Sequence, residues 1–572
     1  MELESGSAPL YLQKPWLKLY PEEIPAEIEI PEVSLCDLFD QAAQKWKDRT
    51  ALVFYGTKIS YGELKEKVER FANALADLGI KKGDRVALLL VNSPQYYISF
   101  YGVLKVGAIV VPVSTVYVSP EIRYQLEDSG AESIICMDFL YESFKKTEVQ
   151  MKNVIITSIA DYLPAKMKLR ERSVLRDEYQ RMALPSPDLY EQKGYYRFQE
   201  LIRKYPPEPF KIELDPKEDL VALPYTGGTT GVPKGVMITH HNCVAAIKQM
   251  RAFRPFWEDG KEVQVGYMPY YHIGGQLGAV MGAMATGDTV VVITTPDLDS
   301  IIDAIIDYKA TFFGGAPSIF ELLKIYKRTS RVNWKKMKLI TTGADAIHES
   351  TFLDWQRRTG TTLHDFYGMT ETTGTAIAVP PGQTRTGSIG IPLPSTMAAV
   401  LDPDRDEFVP AGEIGEITVK GPQICKGYWN KPEATKECEA ILYGERWWRT
   451  GDLGRMDEEG RFYIYDRKRD LIKYKGLRVY AREVEEVLRL HPKIKEVGVV
   501  GVKDIAVGEN VKAYVVLQSD ARGKVSEADI AAYCKDKLAH YKIPKIIEFV
   551  GEIPKTDVGK VSRRELREIG EV

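Results

Sequence analysis

Between residues 50 and 136, short apolar runs alternate with stretches whose apolar residues recur every third or fourth position, and this alternation restricts the fold more than any other feature of the chain. Residues 85–91, 109–113 and 133–136 read as strands with near-continuous apolar character rather than an in–out alternation. Such strands are apolar on both faces and need cover on both. The intervening stretches supply it. Leu64, Val68, Phe71, Leu75 and Leu78 share one helical face, Ser60 and Glu63 form a capping-box signature before it, and Gly79 stands where a helix would stop. Ser93-Pro94 and Ser119-Pro120 open two more helices, each with proline at its first turn. The expected class is α/β, with layered, mostly parallel sheets and helices packed on them.

The chain has 572 residues, more than one core can organise at about 100–200 residues per domain. The strand–helix alternation pauses at about 150–215, where residues 166–181 are heavily charged and prolines gather between 185 and 209; this reads as an inserted connector. It resumes from Leu220 to about Asp466. Residues 467–572 read as a small α+β domain, with strands at 497–502, 511–517 and 546–550 and a helix capped by Ser526 and Asp529 that runs towards His540. The expected division is a large domain at 1–466 and a small mobile one at 467–572.

Several function classes drop out. A net charge of −3 provides no basic field for nucleic acid. The apolar run 273–287, with Gly278 and Gly282 in GxxxG spacing, is shorter than the ~20 residues a membrane span needs and reads as a buried core helix. Leu163, Met167 and Leu169 beside Lys166, Lys168, Arg170 and Arg172 suggest either a peripheral membrane contact or a solvated surface segment. The short apolar face favours the second. Six scattered cysteines without a CxxC pair, and an acidic start lacking an apolar leader core, fit a cytoplasmic protein with reduced thiols.

Chemistry concentrates in six segments. Tyr225-Thr-Gly-Gly-Thr-Thr-Gly-Val-Pro-Lys-Gly235 follows a strand-like run; its glycines let backbone approach a polyphosphate while its threonines and Lys234 supply donors and charge. It lacks the Gly-Lys-Ser/Thr ending of a Walker loop. Phe366-Tyr-Gly-Met-Thr-Glu-Thr372 combines an aromatic face, a hydroxyl and a carboxylate, which suit a base, a phosphate oxygen and a hard cation. Arg449-Thr-Gly-Asp452 offers a carboxylate with acceptor sites for two hydroxyls. Asp466-Arg-Lys-Arg-Asp-Leu-Ile-Lys473, Met268-Pro-Tyr-Tyr-His-Ile-Gly-Gly275 and Ile553-Pro-Lys-Thr-Asp-Val-Gly-Lys560 complete the set.

In their order along the chain, and over nearly its whole length, these segments resemble the adenylate-forming, AMP-binding superfamily, which includes acyl-CoA synthetases, firefly luciferase and the adenylation domains of peptide synthetases. The resemblance implies that Thr226, Gly227, Gly228, Thr229, Thr230, Gly231 and Lys234 hold the ATP phosphates. Gly343, Ala344, Asp345, Phe366, Tyr367, Gly368 and Met369 would border the adenine, Thr370 would contact the α-phosphate, and Glu371 would hold Mg²⁺. Asp452 and Arg467 would bind the ribose. Arg469 falls at a hinge where members carry Asp or Lys, and Lys473 and Gly476 would face coenzyme A. Lys560 would bridge the acid carboxylate and the nucleotide, and His272 would orient that carboxylate beside an acyl pocket with Tyr271, Gly274 and Gly275. Gly227 stands where many members have serine; the Gly-Gly form is common in fatty-acyl-CoA synthetases. The implied activity is ATP-dependent ligation of a carboxylic acid, most simply a medium- or long-chain fatty acid, to coenzyme A. Aryl or short hydroxy acids, or loading of a carrier protein, are the alternatives. The oligomeric state stays open, a homodimer included.

Overall fold

The computed structural model describes residues 9–164, 184–227, 232–343, 347, 349–475, 477–504, 506–555 and 561–570. They fall into two units, the larger formed by Trp16–Met397 and Lys420–Glu437, the smaller by the residues up to Pro15, Ala398–Val419 and those from Cys438 onward.

The larger unit carries two sheets of the expected kind. In the first, nine strands run in the order Ile391–Pro392, Ile377–Ala378, His364–Tyr367, Leu339–Gly343, Phe312–Gly315, Val263–Gly266, Thr289–Val292, Thr50–Phe54 and Thr57–Ser60. The pairings from Thr50–Phe54 through His364–Tyr367 are parallel, with antiparallel strands only at the edges. In the second, Leu220–Ala222, Ile109–Pro112, Arg85–Leu89, Ser133–Met137, Asn153–Thr157 and Tyr195–Arg197 lie parallel in that order. The last two strands, and the helix Phe198–Lys204, come from the stretch that reads as a connector. Asn153–Thr157 is buried throughout, so its apolar run outweighs the charge and proline that follow it. Residues 165–183, with most of the candidate membrane-contact residues, lie outside the described residues.

Local signals behave as their chemistry requires. The Ser60 hydroxyl accepts from the Glu63 amide at 3.2 Å, and the Glu63 carboxylate accepts from the Ser60 amide at 2.7 Å, starting the helix Tyr61–Asp77. Gly79 adopts φ +81°, the left-handed conformation that ends a helix cheaply. The apolar run 273–287 is helical from Ile273 to Thr286, with a π-helical stretch, Gln276–Gly282, inside it. No helix among the described residues is long and apolar enough to cross a membrane.

The smaller unit has two five-stranded sheets. One includes Gly415–Lys420, Glu445–Met456 and Phe462–Arg467; the other is built on the long antiparallel pair Ile494–Asp504 and Gly508–Leu517. Ser526 and Asp529 cap the helix Glu527–Cys534 as expected. That helix stops well before His540, because the amides of both Lys537 and Leu538 converge on the Cys534 carbonyl and tighten the chain into turns.

One arginine ties this unit together. Arg563, at the start of the helix Arg563–Gly570, reaches Asp466 and Asp470 at 3.3 Å each and Glu485 at 2.8 Å. All three carboxylates are buried, and burial pushes Asp466 up to about 6 even with the guanidinium beside it. Removing one partner from such a cluster leaves uncompensated charge, so Arg563→Ala is expected to cost roughly 3–5 kcal/mol. Urea unfolding would read this as a lowered midpoint. Arg563→Lys should recover only part of it, because one ammonium cannot fork between three carboxylates.

Candidate active site

The 225–235 loop leaves and re-enters the larger unit as a hairpin, Tyr225–Gly227 antiparallel to Pro233–Gly235, with Lys234 opposite Thr226. Both strands are anchored by side chains. The Tyr225 phenol donates to Asp128 at 2.8 Å, Lys431 pairs with the other Asp128 oxygen at 2.6 Å, and the Tyr124 phenol donates to the Pro233 carbonyl at 2.8 Å. Burial beside Asp128 drives the Tyr225 phenol well above its ordinary range, so it stays a donor. Gly228, Thr229, Thr230 and Gly231 lie outside the described residues.

Lys234 is buried, and its ammonium stands 5.0 Å from the centre of the Tyr428 ring. The phenol of the same tyrosine donates to the Glu371 carboxylate at 2.6 Å. Tyr428 thus joins the loop lysine to the acidic residue of the 366–372 segment, two groups far apart in sequence. It is held by an antiparallel bridge to Val236 and by its amide donating to the Thr435 hydroxyl at 2.9 Å. Sequence reading did not single it out. The signal was an aromatic directly after Gly427, whose φ of +142° favours glycine.

The 366–372 segment leaves the strand His364–Tyr367 and closes into a single 3₁₀ turn, Thr370–Thr372, in which the Met369 amide donates to the Thr372 hydroxyl at 2.9 Å. Gly368 is required for this path, since any Cβ there would collide with the Gly374 carbonyl. The Cys425 amide donates to the Glu371 carbonyl at 2.8 Å, so backbone and carboxylate of Glu371 are both fixed by the 425–428 stretch. Gly343 ends the neighbouring parallel strand directly opposite Phe366, and Tyr367 is buried beside them. Ala344 and Asp345 lie outside the described residues.

A cavity of about 120 Å³ starts at this segment, where Phe366, Gly374 and Thr375 form part of its wall. It runs beside the helix that follows His272. Gly274, Gly275 and Gly278 line it, with Ile247 and Met250 opposite on the helix His240–Ala252. The glycines do different work. A Cβ at Gly278 would meet nothing within 4 Å, so this residue leaves open space, whereas one at Gly275 would strike the Pro269 carbonyl, so that glycine permits close approach of two backbones. Tyr271 is not part of the lining; its ring centroid lies 5.4 Å from that of His272. At the other end stand Arg254, Trp257, Thr286 and Asp288.

The remaining site residues belong to the smaller unit. Asp452 and Arg467 face each other across adjacent strands and form an ion pair of 2.7 Å with the carboxylate buried. The Asp452 amide donates to the Thr450 hydroxyl at 3.1 Å. Arg469 sits in the 3₁₀ turn Lys468–Asp470, 4.0 Å from Asp470, and burial lowers its guanidinium from the ordinary value. Lys473 lies in the next strand, its amide bonded to Glu509 at 2.7 Å. Gly476 and Lys560 lie outside the described residues. Tertiary structure therefore gathers Lys234, Glu371, Gly343, Phe366 and the cavity in one unit and the Asp452–Arg467 pair in the other.

Comparison with known proteins identifies the family. The family model of AMP-binding enzymes matches residues 39–429, and that of the AMP-binding enzyme C-terminal domain matches residues 483–560. The long-chain-fatty-acid–CoA ligase of Bacillus subtilis (strain 168) is 38% identical over 97% of this chain and 98% of its own. The solved structure of ATP-bound MatB from Rhodopseudomonas palustris superposes with a TM-score of 0.81 at 28% identity, covering 94% of this chain and 99% of that one. The anthranilate CoA ligase AuaEII, in complex with anthranoyl-AMP, gives 0.79 at 25% identity, covering 95% and 98%. With both family models matched in order and relatives aligned almost end to end, the chain belongs to the AMP-binding enzyme family of acid–thiol ligases.

Proposed function

We propose that this ligase activates a medium- or long-chain fatty acid as an acyl-adenylate and transfers the acyl group to coenzyme A. The observation that carries the reading is the continuity of the apolar cavity with the 366–375 segment. An acid whose chain lies in the cavity would bring its carboxylate to the wall formed by Phe366, Gly374 and Thr375, which flank Thr370 and Glu371 in the same segment. A long aliphatic chain gains from burial against Ile247, Met250 and Gly278 at about 25 cal/mol per Å² of apolar surface. The curated relative from B. subtilis, a long-chain-fatty-acid–CoA ligase, supports the same substrate class.

The carboxylate oxygen attacks the α-phosphorus of ATP, and the bond to pyrophosphate breaks. Lys234 neutralises the departing phosphates, and the hairpin anchored through Asp128 holds it there. Thr370 donates to an α-phosphate oxygen, Asp452 and Arg467 take the ribose, and His272 orients the acid. Among the described residues no three acidic, histidine or cysteine side chains gather to cage a metal. A single buried carboxylate, Glu371, whose one oxygen is already fixed by Tyr428, fits Mg²⁺, an ion held by one or two carboxylates plus substrate phosphates. When bound, Mg²⁺ would neutralise phosphate charge. The thiolate of coenzyme A then attacks the acyl carbonyl, and AMP leaves. We assign residues 1–466 to the catalytic body and 467–572 to a domain that turns about Arg469 between the half-reactions. This turn would withdraw Lys560 and present Lys473 and Gly476 to coenzyme A.

Lys560→Ala is expected to slow adenylate formation far more than thioester formation from preformed acyl-adenylate; equal losses in single-turnover assays of both steps would remove Lys560 from the first. Tyr428→Phe keeps the ring under Lys234 but deletes a hydrogen bond to a charged group. Roughly a tenfold or greater fall in pyrophosphate release is expected, with a raised Mg²⁺ requirement. Gly278→Phe fills the open side of the cavity. Thioester formation from palmitate should fall at least tenfold while that from short acids persists, and an unchanged chain-length profile by mass spectrometry would place the acid elsewhere. Pyrophosphate release without any acyl-CoA would identify a carrier protein as acceptor.

A further inference from the structure

The end of the cavity away from the 366–375 segment is not apolar. Gly274 and Thr286 mark opposite ends of the same helix, twelve residues apart, roughly 18 Å at the helical rise, so this end lies within reach of the tail of a long acid. Arg254 lines the cavity there. Its guanidinium lies over the rings of Trp257 and Phe312, 5.2 Å from each centre. No described residue hydrogen-bonds or ion-pairs with it. Its five N–H donors therefore have no acceptor among the described residues. Burial lowers the group only to about 10, so it carries its charge at neutral pH.

The groups around Arg254 leave its donors without an acceptor. Asp288 is the acidic group whose field reaches Arg254; one of its oxygens accepts from Thr286 at 2.7 Å, Gln264 at 3.0 Å and Trp257 at 3.1 Å, and the other is buried and accepts from no described residue, Arg254 included. Burial pushes Asp288 up to about 6, so at neutral pH it is still mostly a carboxylate, and it eases the Arg254 charge from a distance without bonding to it. His364, which feels the Arg254 charge, is lowered to about 4 by burial and then by Arg254, and stays neutral. A methyl-terminated chain leaves the Arg254 donors without an acceptor. A carboxylate at the chain end would meet them with two parallel hydrogen bonds, the geometry a guanidinium is built for.

We propose that Arg254 anchors a second carboxylate at the far end of the acid, so that this enzyme activates long-chain α,ω-dicarboxylic acids. The inference rests on the ligase reading above. One carboxyl enters the adenylate and then the thioester; the other keeps its charge against Arg254 throughout, and no further reactant is needed.

The test uses the full chain with ATP, Mg²⁺ and coenzyme A, and compares tetradecanedioate with tetradecanoate in the wild type, Arg254→Leu and Arg254→Lys. The wild type is expected to form the mono-CoA ester of the dioate. The kcat/KM ratio of dioate to monoacid should fall at least tenfold in Arg254→Leu, mainly through KM for the dioate, and recover in part in Arg254→Lys. If tetradecanoate is turned over but the dioate is not, or the ratio is unchanged in both variants, Arg254 is a packing residue between two rings and the proposal falls alone. If the wild type turns over neither acid, the ligase reading fails. Calorimetric titration of tetradecanedioate into the wild type and Arg254→Lys then decides the anchor: weaker binding to the variant supports it and equal binding overturns it.

Discussion

The phenol of Tyr428 sits between a cation and an anion, and the arrangement of the larger unit's site depends on it. Its ring faces the Lys234 ammonium and its hydroxyl holds Glu371. Lysine and glutamate brought this close without an intervening group would form an ion pair and neutralise each other. A donor to the carboxylate and a π-face to the ammonium instead hold each charge in place while leaving it available to a polyphosphate and its counter-ion. The cost of burying both charges is met by these contacts and by the backbone bridge that pins residue 428 to Val236.

The acyl side rests on a different constraint. A helix with residues at regular α spacing would pack closely against its neighbour, as protein interiors do. Here seven residues, Gln276–Gly282, adopt π geometry, and a Cβ at Gly278 would meet nothing within 4 Å. A wider turn and a missing side chain together leave a cavity beside an otherwise buried helix. Its apolar stretch suits an alkyl chain, and the charged end at Arg254 gives the chain's tail something to meet other than more hydrocarbon.

Much of the fold was legible locally. The capping boxes at Ser60 and Ser526 form as read, and Pro94 begins a helix, because a cap satisfies donors only a few residues away. The stretch at 150–215 was less legible. Its buried strand Asn153–Thr157 is only five residues long and stands before charged and proline-rich sequence, so composition averaged over the region hid it. The stop of the last capped helix at Cys534 was also hidden, since the local turns in which Lys537 and Leu538 share one carbonyl carry no glycine or proline to mark them.

The sequence by itself determined the α/β class, the order of the signature segments and the family to which they belong. Those features depend on residue type and on spacing along one stretch of chain. Tertiary structure decided which groups meet. Tyr428 joins Lys234 to Glu371, Asp452 pairs with Arg467 across two strands, and Arg254 reaches a cavity whose other wall begins at Phe366. Contacts between residues this far apart in the chain are set by sheet order and helix packing, and no local pattern encodes them.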